Sequence, residues 1–187
     1  MSTRFDVLTT PLTGLRILQR KPLSDSRGYL ERLFCAEDLH PLVAGRGISQ
    51  INHTLTAVRG TVRGMHFQRP PHAEAKLVSC LRGEVFDVAV DLRRNSPTFL
   101  HWHSEILSAA NHRSLFIEEG FAHGFQALTD DCEMLYFHTT AYHPEAQDGL
   151  NPQDPRLAIA WPLPIVGLSP RDAEQPWLGD TFAGVAQ

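Results

Sequence analysis

Glu84-Val85-Phe86-Asp87-Val88-Ala89-Val90-Asp91-Leu92 decides how this chain folds. Its even positions, Phe86, Val88, Val90 and Leu92, form one apolar row, whereas Asp87 and Asp91 fall on the other. Side chains alternate across a strand with a period of two, so the stretch reads as a β-strand with two unlike faces. Working outward, short β-rich runs occur at 15–18, 55–62, 76–81, 115–117, 121–128 and 134–140, punctuated by turn signals such as Arg82-Gly83 and Asn95-Ser96-Pro97. Helical periodicity is scarce: a short helix is expected over 36–43, and a turn over 169–173 with Ser169 as N-cap and Pro170 in the first helical position. Many short strands in succession predict an all-β sandwich or barrel with a few short helices. Six prolines, at 152, 155, 162, 164, 170 and 176, break up the chain after residue 150, which is therefore expected to wrap the barrel irregularly.

The 187 residues predict one domain over 1–187 with one core, and no repeat, low-complexity tract or charge block places a linker. Apolar residues at 42% and charged residues at 20% exclude disorder as the main state. A net charge of −4 repels a phosphate backbone, so no nucleic-acid partner is expected, although a local basic pocket for a small anion is compatible with it. No run approaches the roughly 18 to 20 apolar residues of a membrane span, and the first residues lack the apolar stretch of a signal peptide. Cys35, Cys80 and Cys132 are odd in number and widely spaced, and they read as reduced, mostly buried thiols. A cytoplasmic protein without a membrane partner is the expectation.

Chemistry concentrates in a few places. Arg63 and His66 stand in Arg59-Gly60-Thr61-Val62-Arg63-Gly64-Met65-His66-Phe67-Gln68, where glycines permit close backbone approach or a bulge that re-aims both side chains. Such a strand can display a base beside an anion clamp, and the same residues are also compatible with a core histidine and a surface arginine. Lys76, Asp87 and His123 interrupt strands that otherwise read as buried, where a charge without a partner is costly. Each is compatible with a structural polar role, and clustering of the three inside one barrel favours a functional site. Tyr136 and Tyr142 add phenols in or just after the last long strand, compatible with amphipathic packing. His101-Trp102-His103 with Glu105 resembles a metal-binding pattern, but the spacing is short and no third ligand is placed, so a solvated strand face accounts better for it.

Arg63-Gly64-Met65-His66-Phe67-Gln68, Ala75-Lys76-Leu77-Val78, Arg82 to Asp91, Ser96-Pro97-Thr98-Phe99 and Glu119-Gly120-Phe121-Ala122-His123-Gly124-Phe125 together resemble the dTDP-4-dehydrorhamnose 3,5-epimerase family. The resemblance is densest from about 49 to 144 and extends more loosely from Asp25-Ser26-Arg27-Gly28 to Leu168-Ser169-Pro170-Arg171-Asp172. It implies a cupin-type β jelly roll, usually a homodimer, that acts without metal or other cofactor on a nucleotide-linked 4-keto-6-deoxyhexose. It further implies His66 as catalytic base, Asp172 as its orienting carboxylate, Lys76 facing the developing enolate oxygen, and Tyr136 as the opposing acid. His123 and Asp87 resemble the polar lining of the same pocket. Arg63, Arg27, Gln50, Asn52, Glu31 and Tyr142 resemble contacts to the sugar nucleotide, Arg27 and Glu31 reaching a neighbouring subunit's pocket.

The chemistry asks for such a set, because a proton beside a ketone is removed only as the enolate is stabilised, and inversion needs a donor on the opposite face. The chain departs from the family at Phe137, where lysine is frequent, at Gln147-Asp148-Gly149 in place of Glu-Arg-Gly, at Leu100 for glycine and at Glu118 for proline. The motifs alone leave open a single-carbon epimerase, a metal-dependent cupin using His101 and His103, and a cupin that binds nucleotide sugar without turnover. Retention of both base and acid argues against the last.

Overall fold

The computed structural model describes residues 4–186. Thirteen strands and two one-turn helices follow in the order β1 Phe5–Thr9, β2 Leu15–Arg20, β3 Leu23–Asp25, β4 Gly28–Leu30, α1 His40–Val43, β5 Gln50–Thr56, β6 Val62–Gln68, β7 Lys76–Arg82, β8 Glu84–Asp91, β9 Trp102–Ser108, β10 Arg113–Ile117, β11 Phe121–Ala127, β12 Cys132–His138, β13 Gln147–Gly149 and α2 Pro170–Ala173. A six-stranded sheet has the order β1-β2-β10-β7-β12-β5, a five-stranded sheet the order β13-β6-β11-β8-β9, and β3 pairs with β4 as a separate hairpin. All pairings between these strands are antiparallel. The two large sheets face each other as a jelly roll.

Hydrophobic burial organises three layers. Between the sheets, Leu15, Ile17, Val78, Leu115 and Met134 from one side meet Val85, Ala89, Leu107, Phe121 and Phe125 from the other. Outside the six-stranded sheet, Leu18, Leu77, Phe116 and Phe137 are covered by Leu39 and Val43 and by Leu33 and Phe34 from the segment before β5. Outside the five-stranded sheet, Val88, Val90 and Leu92 are covered by Leu150, Leu157, Leu178 and Val185 of the proline-rich C-terminal segment, which wraps the barrel as expected.

That second covering changes the reading of the deciding strand. The row Phe86, Val88, Val90 and Leu92 faces the C-terminal wrap, and the odd row, with Val85 and Ala89, faces the inter-sheet core. Asp87 belongs to this inner row and is fully buried. The run expected over 55–62 is divided between the end of β5 and the start of β6, with a turn through Gly60 at a φ of 85°. The expected helix over 36–43 shortens to α1, while α2 has Ser169 as N-cap and Pro170 in its first turn as read. The segment around His103 is not a solvated face: Glu105 lies opposite Asp87 and binds Arg113, and His103 is half-buried. Cys80 and Cys132 are buried, Cys35 is partly buried, and all three are free thiols. No helix among the described residues is long and apolar enough to cross a membrane.

Candidate active site

A cavity of about 620 Å³ opens at one end of the barrel, between the two sheets. The six-stranded sheet contributes Gln50, Asn52 and Thr54 of β5, Lys76 of β7, and Tyr136 and His138 of β12. The five-stranded sheet contributes Arg63, His66 and Gln68 of β6 and His123 of β11, and Ser169, Arg171 and Asp172 come from the C-terminal segment.

Strand β6 shows how local geometry builds the site. His66 pairs with His123 and Arg63 with Phe125, so three steps along β6 oppose two along β11. The extra residue is a β-bulge, and it turns Arg63 and His66, which alternation would send to opposite faces, into the same cavity. Glycine makes this possible. A Cβ on Gly64 would lie 2.5 Å from the Gly124 Cα, and Gly64 has a φ of 133°, a region L side chains rarely adopt.

His66 Nε2 meets Asp172 Oδ1 at 2.7 Å, a contact spanning 106 residues of sequence. Ser169 Oγ accepts the Asp172 N–H at 3.0 Å and so fixes the first turn of α2, while Asp172 Oδ2 accepts from the Gly64 N–H at 3.3 Å. Burial pushes the Asp172 carboxyl up, but its hydrogen bonds with His66 and the Gly64 amide outweigh that effect and hold it below the usual carboxylate range. A neutral His66 that donates from Nε2 presents its lone pair at Nδ1, the tautomer a base requires.

Lys76 and Tyr136 stand on the facing sheet. Lys76 Nζ lies 2.9 Å from Glu74 Oε1, both side chains nearly excluded from solvent. Burial raises the Tyr136 phenol well above its ordinary value and keeps it protonated, as an acid needs. Its ring packs edge-on to His123 at 6.1 Å between centroids and stacks with His138 at the same distance. His123 Nε2 is 2.9 Å from Asp87 Oδ2, and burial raises the Asp87 carboxyl against the pull of His123.

Of the residues expected at the site, His66, Asp172, Lys76, Tyr136, Arg63, Gln50, Asn52, His123 and Tyr142 line the cavity. Asp87 does not line it; it stands behind His123 and holds that ring. Arg27 lies in the exposed β3–β4 hairpin, paired with Asp25, and Glu31 binds Arg20 at 3.0 Å and His112 at 2.7 Å, both outside the cavity lining of their own chain. Phe137 packs against Phe34 on the outer face, so that departure from the family lies outside the cavity. Gln147 does line the cavity, with its buried Oε1 unpaired. Glu74 and His138 were missed; His138 stands two residues beyond Tyr136 on β12, where period-two alternation was a signal, whereas Glu74 precedes β7.

Among the described residues, one group of three side chains brings metal-ligand atoms within 4.8 Å of one another: His72, His143 and Glu145. It excludes His101 and His103. The two imidazoles of the group stack at 3.6 Å with an interplanar angle of 22°, and His143 Nδ1 lies 3.1 Å from Glu145 Oε1.

A sequence profile of the dTDP-4-dehydrorhamnose 3,5-epimerases matches residues 9–180. The chain belongs to this family. It is 42% identical over 168 residues to the dTDP-4-dehydrorhamnose 3,5-epimerase of Sinorhizobium fredii, covering 89% of this chain and 86% of the relative. It is 43% identical over 127 residues to a dTDP-4-dehydrorhamnose 3-epimerase of Streptomyces niveus, covering 68% of this chain and 61% of that one. Among solved structures, the dTDP-6-deoxy-D-glucose-3,5-epimerase of Legionella pneumophila, in complex with dTDP-4-keto-L-rhamnose, superposes with a TM-score of 0.88 at 40% identity, with 92% of each chain covered. This family member thus carries the cupin jelly roll of the epimerases over most of its length.

Proposed function

We propose that this epimerase-family protein inverts C3 and C5 of dTDP-4-dehydro-6-deoxy-D-glucose to give dTDP-4-dehydro-L-rhamnose, a step of dTDP-L-rhamnose synthesis. The observation that carries the reading is the placement of the His66–Asp172 pair and of Tyr136 on opposite sheets, lining one cavity that also holds Lys76. His66 Nδ1 takes the proton from the carbon beside the C4 ketone, and the C–H electron pair moves into an enolate whose oxygen is met by the Lys76 ammonium. The Tyr136 hydroxyl then donates a proton to the other face of that carbon. Tyrosinate and imidazolium return to their starting states by exchange with water, and the sequence repeats at the second carbon. Arg63 is held by Thr56 Oγ1 at 2.9 Å and the Leu55 carbonyl at 3.1 Å, a fixed donor for a diphosphate oxygen.

The reading assigns this chemistry to side chains alone, in a cytoplasmic enzyme, and activity should persist after exhaustive chelation. It also makes the enzyme a homodimer. The β3–β4 hairpin presents Tyr29 and Leu30 at 62% and 71% exposure beside Arg27, and edge strand β5 presents Ile51 and Leu55, surfaces suited to a second copy. In that arrangement Arg27 and Glu31 act at the neighbouring subunit's cavity. Sedimentation at micromolar concentration should give a dimer, and a monomer would contradict this.

The likeness to a named 3-epimerase favours one alternative, inversion at a single carbon. Turnover of dTDP-4-dehydro-6-deoxy-D-glucose in deuterated water separates the two. Label at both C3 and C5 supports the main reading, label at one carbon selects the alternative, and no label rejects both.

A further inference from the structure

The structure holds a polar chain in the cavity wall that the mechanism above does not use. Glu74 spends both carboxylate oxygens inside the protein: Oε1 on Lys76 Nζ at 2.9 Å and Oε2 on His138 Nδ1 at 2.8 Å. The three side chains are 9%, 8% and 12% exposed. On the other edge of the imidazole, His138 Nε2 is 3.5 Å from Asn52 Nδ2. Asn52 Oδ1 accepts from Gln50 Nε2 at 3.0 Å, and Gln50 Oε1 accepts from the Tyr142 backbone N–H at 3.0 Å.

These contacts have one direction. Each amide accepts on the side toward Tyr142 and donates on the side toward Glu74. With the Asn52 amide donating toward Nε2, the chain places the His138 donor at Nδ1, toward Glu74 Oε2. The groups around His138 are Glu74, Lys76, Asn52 and the stacked Tyr136 ring, and its strand neighbours in register are Gln50 and Lys76. The whole donor sequence terminates on Glu74, the carboxylate paired with Lys76 at 2.9 Å.

We propose that Glu74 and His138 are positioning residues for proton abstraction, holding the Lys76 ammonium at the enolate oxygen through one bond and leaving its other two N–H donors to the substrate. This rests on the functional reading above. A lysine is a flexible point charge, and a buried one needs a counter-ion. Glu74 supplies the charge, and His138 holds Glu74 in the orientation that places it. Misplacement of an electrophile by an ångström costs about 100-fold, so the effect belongs in turnover rather than in binding.

The test compares Glu74→Gln, His138→Leu and His138→Asn, reading solvent-deuterium incorporation and inversion together with KM and thermal melting. Asparagine places an N–H where His138 Nδ1 stands, whereas leucine has none. Glu74→Gln and His138→Leu are expected to lower kcat about 10- to 100-fold with KM within about 3-fold, and His138→Asn to recover most of the loss. On a Lys76→Met background, Glu74→Gln should add no further loss, because its effect runs through Lys76. Normal kcat in folded Glu74→Gln and His138→Leu overturns the inference alone, as does an undiminished effect of Glu74→Gln without Lys76. A wild-type enzyme with neither incorporation nor inversion overturns the functional reading and this inference with it.

Discussion

Removing the His66 imidazole and removing the Tyr136 hydroxyl should have different consequences. His66→Ala is expected to abolish both epimerisation and solvent exchange, since no enolate forms without the base. Tyr136→Phe keeps the ring packed against the inter-sheet core and His123 while deleting the donor. Exchange with retained configuration should persist, and inversion should fall by about 100-fold or more. Both are measured in one deuterated sample, and equal small losses would show that another group is the acid. Glu74 carries a separate prediction about stability. Burial raises its carboxyl, but Lys76 and His138 outweigh this and bring it from its ordinary 4.5 to about 2. A depressed value in the folded state means stabilisation that is present above pH 4.5 and lost as the pH falls through about 2. The difference corresponds to about 3 kcal/mol. Urea unfolding at pH 5 and pH 2 should therefore show a larger acid loss in the wild type than in Glu74→Gln.

At the scale of elements, the β6–β11 contact carries the most specific prediction. A methyl group on Gly124 would come within 2.6 Å of Met65 Sδ and 2.8 Å of the Arg63 carbonyl oxygen, between the two residues that the bulge turns inward. Gly124→Ala should cost about 1–3 kcal/mol, read by thermal melting, and should displace Arg63 and His66 together, weakening substrate binding and turnover. Strands were legible through the alternation of β8 and through short β-rich runs, as in β7 and β12, whereas β9 and most of β5 lay outside those runs. The assignment of faces was less so, because the C-terminal wrap buries the outer face of the five-stranded sheet, and both rows of β8 lie inside the protein. Asp87 thus looked like pocket lining when it is the support behind His123. The glycines beside Arg63 and His66 marked a strand able to bulge, while the roles expected of the two side chains rested on the family resemblance. Glu74 lies before its strand begins and becomes a neighbour of His138 only through the β7–β12 register, which no local pattern encodes.

For the whole molecule, the cavity is a product of both sheets and of the segment that wraps them. Base and orienting carboxylate are joined across 106 residues, and the carboxylate sits on a helical turn of four residues that docks against β6. Such a site is expected to form late in folding. Contacts between remote segments form after loop-closure entropy has been overcome, and a jelly roll is rich in them. During refolding, the far-ultraviolet signal of the strands should recover before catalytic competence does, with docking of the C-terminal segment adding a concentration-independent interval to that of the proposed subunit association. A Ser169→Ala variant, lacking the cap of that turn, should lengthen the interval while leaving the early optical phase unchanged. On that expectation, the return of turnover serves as a clock for the final stage of the protein's own assembly.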